Sequence, residues 1–378
     1  MALRVGVVGG GQLARMMVPA AVELGLDIRV LAEGPDMSAS IAATAEGDHR
    51  DAATVLAFAR DVDVLTFDHE HVPQDVLRAL VEAGVAVHPG PDALAVAQDK
   101  IVMRTRLTGL GVPVPDWAVV HDADELRAFL GEHGGRAVVK TPRGGYDGKG
   151  VRVVDDPSDV DDWFLAVAEA GADQALLVEE LVPFTRELAQ SVARRPSGEV
   201  VAWPLVETVQ RDGVCAEVIA PAPGSAGRLA DAAESLAVRI AEELGVTGVL
   251  AVELFETDDE RILVNELAMR PHNTGHWSID GATTSQFEQH LRAVLDLPLG
   301  ATGMHAPAAV MVNVLGGPAD GDLAGRYPAA LAAFPEAKYH FYGKAPRPGR
   351  KVGHVTVTGS DVDDVVYRAR AAAAHFDD

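Results

Sequence analysis

The segment VLAVELFETDDERILVNELA (249–268) carries two glutamates at a spacing that invites chemistry. Read as a β-hairpin with Asp259 and Glu260 as a two-residue turn, it sets Glu253 directly opposite Glu266 among apolar neighbours. Like charges so placed, with Cβ atoms only ~5 Å apart, destabilise a sheet. They persist together where a divalent cation lies between them or where one is protonated. Ligation by oxygen alone suits Mg²⁺, which takes its remaining ligands largely from substrate phosphates. Asn265 points to the other face but can turn in at the strand end. A plain hairpin with two solvated glutamates is the alternative.

A second constellation is VVKTPRGGYDGKGVRVV (138–154), where Gly144, Gly145, Gly148 and Gly150 lie between two strands. No Ser or Thr follows Lys149 and no helix follows the glycines, so this is not a Walker A loop. Its N–H groups, with Lys140 and Lys149, can still fold over a polyphosphate. A flexible turn is the simpler alternative, but Tyr146, Asp147 and Lys149 at the tip favour function. NELAMRPHNTGHW (265–277) then places Arg270, His272, Asn273, Thr274 and His276 beside the carboxylates, a set fit to hold an anion or the charge of phosphoryl transfer. A zinc site from His272 and His276 lacks a third ligand at the usual spacing.

The opening VGVVGGGQLARMM (5–17) fits the G-x-G-x-x-A fingerprint of a dinucleotide-binding turn, with Glu33 where a ribose-binding acid belongs. Asp68-His69-Glu70-His71 follows a later strand. There His69 and His71 share one face and Asp68 and Glu70 the other, at the strand end that faces the ligand crevice of an open α/β sheet. We read the cluster as substrate-facing, with metal binding a poor second.

The elements that position these groups follow from periodicity. Strands at 3–9, 27–32 and 62–68 alternate with helices at 12–25, 51–61 and 73–84, and a short strand follows at 85–89, implying a parallel sheet. This first domain ends near Gln98. A helix stopped by Gly111, a helix at 122–135, strands at 136–141 and 151–156, and antiparallel segments from 174 to 207 follow. A long helix at 229–245 precedes the hairpin, and short strands and turns with a basic segment complete the chain. The expectation is a Rossmann-like domain over 1–98, an α+β domain over 99–300 and a small mainly-β domain over 301–378.

Composition narrows the setting. The 378 residues carry a formal charge of −24, which repels nucleic acid and anionic membranes, so bound phosphate must meet local cations or backbone N–H groups. Cys215 is the only cysteine, which excludes an internal disulfide and a cysteine-based zinc site. No apolar run reaches the ~20 residues a bilayer requires. MALRVGVVGGG enters a strand directly, without a cleavable signal pattern. A cytoplasmic enzyme is expected.

Seven stretches in order, GGGQL, QDK, GGYDGKG, VEELVPFTRE, NELAMRPHNTGHW, TTSQFEQHLRA and RPGRKVGH, resemble the 5-(carboxyamino)imidazole ribonucleotide synthases, of ATP-grasp fold. The resemblance covers nearly the whole chain and implies that the α+β domain over 99–300 is two-lobed. It implies that ATP, bicarbonate and aminoimidazole ribonucleotide give the carbamate, ADP and phosphate through carboxyphosphate. It further implies that Lys100 and Lys140 contact the ATP phosphates under a loop containing Gly145, Gly148 and Gly150. Glu179, Glu180 and Val182 would meet adenine, and Glu187 the ribose. Glu253 and Glu266 would hold Mg²⁺, as two ions, with Asn265 beside them on the ATP side. Arg270, Lys149 and Asp147 would be catalytic. Glu70, Tyr146, Asp147, His272, Asn273 and Thr274 would lie around the imidazole substrate. Lys344, Arg350 and Lys351, with Gly11 and Gln12, would hold its 5′-phosphate. Neither NAD nor biotin is implied, and members are commonly homodimers.

The chain departs from the family pattern at Met269 (usually Pro), Gln210 (His), Ala14 (Gly), Thr274 (Ser) and Leu181 (Phe). An oxidoreductase reading explains only the first forty or so residues. A formate-using transformylase of the same fold would share the ATP site, and a non-catalytic nucleotide regulator would leave the filled metal and lysine positions without a purpose.

Overall fold

In the computed structural model the described residues are 2–144, 150–170 and 175–377. Apolar residues at 5, 7 and 8 bury the first strand, Arg4–Val8, at the centre of a four-stranded parallel sheet. Its order is Ala43–Glu46, Asp27–Ala32, Arg4–Val8, Val64–Phe67. Helices Gln12–Glu23 and Ala52–Ala59 make the crossovers, and Gly25 ends the first of them with a positive φ of 66°. The short edge strand Ala43–Glu46 escapes the sequence reading because its largely exposed residues carry no apolar alternation. The strand expected at 85–89 is reduced to one parallel bridge, Leu65 with Val87, where Pro89 offers no N–H to extend it.

A second, antiparallel sheet runs Trp117–Val120, Leu176–Glu180, Ala137–Lys140, Val151–Val154. Its hairpin pairs Ala137 with Val154 through to Lys140 with Val151, and Thr141 N–H donates to Gly150 O at 2.9 Å. The glycine-rich segment thus joins two strands. Gly145, Tyr146, Asp147, Gly148 and Lys149 lie outside the described residues.

The third sheet has nine strands. From its edge strand Ile262–Ala268 it passes through Gly248–Thr257, Phe184–Arg194, Val206–Arg211, Val214–Ala220, Ala308–Leu315 and Lys351–Gly359 to Lys338–Phe341, and the short Val200–Ala202 also pairs with Phe184–Arg194. The sheet does not break at residue 300. Two helices, Leu323–Ala333 and Val362–Ala374, accompany the last three strands. The second buries Val365, Ala369, Ala372 and Ala373 at helical spacing, a face built of small residues that the sequence reading passed over.

Between the first sheet and the third lies the helix Gln286–Val294, whose Phe287, Leu291 and Val294 share a core with Val5, Val7 and Leu13. His290 pins the two sheets together. Val249 N–H donates to its Nδ1 at 3.1 Å, which leaves the proton on Nε2 for Thr66 Oγ1 at 2.7 Å. Among the described residues no helix is long and apolar enough to cross a membrane.

Candidate active site

The nine-stranded sheet sets Glu253 directly opposite Glu266. The hairpin reaches that register by a route the sequence did not suggest. Its turn has three residues, with Glu260 at a φ of 59°, and Thr257 N–H donates to Arg261 O at 3.0 Å. This shifts the pairing by one residue, so that Leu254 faces Val264. A bulge at Asn265, which opposes no residue, then restores the shift before Glu266. The bulge also aims the amide: Asn265 Oδ1 accepts from Lys140 Nζ at 3.2 Å.

Cations gather at this edge. Lys100 Nζ donates to Glu266 Oε1 at 3.0 Å. Lys140 Nζ lies 2.7 Å from Glu179 Oε2, and Arg104 Nε donates to Glu179 Oε1 at 2.5 Å. Arg104 is fully buried and also donates to the Asn265 carbonyl at 2.8 Å. The Glu179 carboxylate is therefore committed to Arg104 and Lys140. It positions Lys140, and what it can offer a bound base is backbone. Burial opposes its charge, but the two cations hold its carboxyl below the ordinary range. The sequence reading missed Arg104, because an arginine in an amphipathic helix usually faces solvent.

Burial, followed by the charges of Glu266 and Glu187, pushes the Glu253 carboxyl up. His272 Nε2 approaches Glu253 Oε1 at 3.5 Å, and its Nδ1 meets Thr274 Oγ1 at 3.0 Å. Glu187 pairs across the sheet with Phe255 and Thr208, and burial raises its carboxyl too. Three carboxylates thus share one face of the sheet, an oxygen-only donor set that fits Mg²⁺. Val182 is buried, and Glu180 Oε1 accepts the Asp116 N–H at 3.1 Å.

Glu70 holds the following segment. Its Oε1 accepts the Met269 N–H at 2.6 Å, and its Oε2 lies 3.4 Å from Arg270 Nε. Asn273 and Thr274 are buried, and the Asn273 amide oxygen has no hydrogen-bond partner among the described residues. From the far end of the chain, Lys344 Nζ donates to Gln12 Oε1 at 2.6 Å. The Lys351 ammonium is close enough to weigh on Glu253 and His272. Arg350 donates to Ala345 O at 3.1 Å.

The fingerprint turn is occupied from within. Asp68 Oδ1 accepts the Ala14 N–H at 2.7 Å, and a Cβ on Gly11 would meet Asp68 Oδ2 at 2.0 Å. Gly10 N–H donates to Glu33 Oε2 at 3.2 Å. The close approach that a dinucleotide pyrophosphate makes in such turns is made by the chain's own carboxylates, which repel one.

Glu33, His49 and His69 bring three ligand atoms within 4.8 Å of one another. His69 Nδ1, however, accepts the His71 N–H at 3.2 Å, so its proton lies on Nε2 and points at Glu33 Oε1, 3.0 Å away. A metal-ligating histidine has the reverse arrangement, its free nitrogen donating. The cluster braces the turn, and that hydrogen bond holds Glu33 down to about 2.

Comparison with known proteins identifies three segments. The ribonucleotide synthetase preATP-grasp domain matches residues 1–98, the ATP-grasp domain 105–287 and the phosphoribosylaminoimidazole carboxylase C-terminal domain 309–368. N5-carboxyaminoimidazole ribonucleotide synthase of Mycobacterium tuberculosis is 53% identical over 373 residues, covering 98% of this chain and 86% of the relative. The Corynebacterium ammoniagenes enzyme is 50% identical, with 98% and 91% covered. The crystal structure of N5-carboxyaminoimidazole synthase from Aspergillus clavatus, in complex with ADP and 5-aminoimidazole ribonucleotide, superposes with a TM-score of 0.88 at 31% identity. It covers 99% of this chain and 98% of that one.

Proposed function

The chain belongs to the N5-carboxyaminoimidazole ribonucleotide synthases of the ATP-grasp superfamily, and from that premise we propose how its residues divide the work. It is an ATP-dependent carbon–nitrogen ligase that carboxylates 5-aminoimidazole ribonucleotide in purine biosynthesis. In our reading the carboxyl donor is bicarbonate. Its oxygen attacks the γ-phosphorus, the bond to ADP breaks, and carboxyphosphate forms. Carboxyphosphate releases CO₂ to the exocyclic amine, whose proton passes to the departing phosphate.

The observation that supports this most directly is the Glu253–Glu266 pair with Lys100 and Lys140 beside it. Lys100 and Lys140 bind the ATP phosphates, Lys140 being held in place by Glu179 and Asn265. Glu180 and Val182 border the adenine, and Glu187 receives the ribose. Glu253, Glu266 and Asn265 would hold Mg²⁺, as two ions, which when bound neutralises charge along the transfer path. Arg270, oriented by Glu70, faces the phosphoryl group in flight, and Lys149 and Asp147 complete the catalytic set. Tyr146, His272, Asn273 and Thr274 surround the imidazole. Gln12, Lys344, Arg350 and Lys351 take the 5′-phosphate, whereas the helix N-terminus at Gly11 is given over to Asp68. The acidic charge and single cysteine support a cytoplasmic setting with small-molecule substrates, and the family habit supports a homodimer.

ADP release tests the reading. With aminoimidazole ribonucleotide and bicarbonate both present turnover is expected, and omission of either should abolish coupled turnover. Turnover that ignores bicarbonate, or that accepts formate instead, overturns it.

A further inference from the structure

Gln286 opens the helix Gln286–Val294 and is 1% exposed. Its amide closes on both backbone groups of His272: Oε1 accepts the His272 N–H at 2.8 Å, and Nε2 donates to the His272 carbonyl at 2.8 Å. This two-point contact with one residue settles which end of the amide is oxygen. Nε2 must therefore also be the donor to His276 Nδ1, 2.8 Å away. Gly275 makes the approach possible, since a Cβ there would stand 2.4 Å from Gln286 Oε1.

The consequence falls on His276. With Nδ1 accepting, a neutral ring carries its proton on Nε2. Burial, then the nearby Lys351 charge, keeps the ring neutral by holding its pKa well below 6.5. His276 is fully buried, yet Nε2 has no hydrogen-bond partner among the described residues. Its surroundings repeat the pattern. The His354 ring lies 5.1 Å away and is equally buried, its Nε2 unpartnered among the described residues. Asn313, opposite His354 across the strands, has an Oδ1 unpartnered among the described residues while its Nδ2 donates to Cys215 O at 2.8 Å. The Cys215 thiol in turn adjoins Asn273, which is joined back to His276 by the His276 N–H to Asn273 O bond of 3.2 Å. Buried polar atoms are nearly always satisfied, and each orphan is costly. Among the described residues this cluster leaves His276 Nε2, His354 Nε2, Asn313 Oδ1 and Asn273 Oδ1 without partners, a set suited to a partner from outside the chain. It lies next to His272, which reaches Glu253.

We propose that His276 is a substrate-binding residue, its Nε2–H donating to an acceptor atom of the imidazole ribonucleotide, and that Gln286 is the positioning residue that fixes it in this tautomer. The assignment rests on the proposed function and adds a residue to that site. Asn273, able to donate and accept at once, supplies the complementary contact to a polar heterocycle.

Binding of aminoimidazole ribonucleotide and of ATP to the full chain, measured separately by calorimetry, tests it. His276→Phe keeps the ring's bulk without the donor and should weaken ribonucleotide binding about tenfold, leaving ATP binding within about twofold. His276→Gln, which returns an N–H near the Nε2 position, should recover most of the loss. Gln286→Glu cannot donate to Nδ1, so the proton should move to Nδ1 and the same selective loss appear. ¹⁵N spectra of the His276 ring report that move directly. A wild-type ring protonated on Nδ1, or Gln286→Glu with unchanged affinity, overturns the proposal. So does an equal loss of both ligands with a lowered Tm, which marks a merely structural role. Wild-type protein that binds ATP but no ribonucleotide overturns the proposed function itself.

Discussion

Glu253 stands directly opposite Glu266 on adjacent antiparallel strands, each carboxylate on the same face of a largely apolar hairpin. Glu266 has Lys100 for a partner, and Glu253 has His272 at 3.5 Å. The asymmetry makes Glu253 the group that suffers when no cation is present.

Its folded pKa lies above the ordinary 4.5, so between the two values the folded state holds a proton that the unfolded state has lost. Stability contributed by this group therefore falls as pH rises through that window. Without Mg²⁺, wild-type Tm should fall from about pH 5 to 8 through this group, and millimolar Mg²⁺ should reverse the fall at the upper end. Glu253→Gln should flatten both responses in differential scanning calorimetry. Glu266→Ala should lower Mg²⁺-dependent turnover by at least about 100-fold with the fold intact.

Glu179 is the shared counter-charge of Arg104 and Lys140. Glu179→Gln leaves two buried cations facing each other, and breaking such a pair costs about 3–5 kcal/mol. The variant should unfold at lower denaturant and raise KM for ATP. Arg104→Lys keeps the charge but loses the fixed fork to Asn265 O, so it should raise KM for ATP with a smaller stability loss. Denaturant midpoints beside ATP titrations separate the two effects.

Lys344 reaches Gln12 from the opposite end of the chain. Lys344→Ala removes a cation from the region assigned to the 5′-phosphate. KM for the ribonucleotide should rise about 10–100-fold while KM for ATP stays put. Equal changes in both would place Lys344 elsewhere in the mechanism.

His276, His290 and His354 are buried and neutral, with pKa values depressed chiefly by burial, that of His290 to about 3. Below the unfolded value of 6.5 the unfolded chain binds protons that the folded chain refuses, so stability falls as pH drops. His290 alone removes about 2 kcal/mol by pH 5. Acid unfolding should begin well above the carboxylate range, and His290→Gln should move the midpoint to lower pH relative to its own neutral-pH stability.

The parallel sheet, the lobe hairpin and the Glu253–Glu266 pairing were legible because each rests on periodicity that a local stretch carries. The pairing came out right by cancellation: the expected two-residue turn is a three-residue one, and the bulge at Asn265 restores the register. Nothing local encodes that bulge, whose reward, the contact with Lys140, comes from a strand more than a hundred residues away. Arg104 was invisible for the same reason, its partners being Glu179 and the Asn265 carbonyl. The glycine fingerprint was legible as a close approach, but which anion approaches Gly11 depends on Asp68, at the end of another strand. The helices of the last segment were missed because alanine-rich faces bury little area per residue and leave a faint pattern.

Gln12 and Lys344 are hydrogen-bonded across 332 residues of sequence, and Ser38 and Tyr342 across 304. A ribosome makes these partners at opposite ends of its task. A nascent chain that has just passed residue 277 already carries Lys100, Lys140, Glu253, Glu266 and Arg270, the residues assigned to ATP. The lysine that meets Gln12 is still to be translated. With the work divided in this way, the residues assigned to the nucleotide are translated before the lysine assigned to the ribonucleotide. A chain cut short in its last forty residues lacks Lys344 and also the strand Lys351–Gly359 of the sheet that carries Glu253 and Glu266.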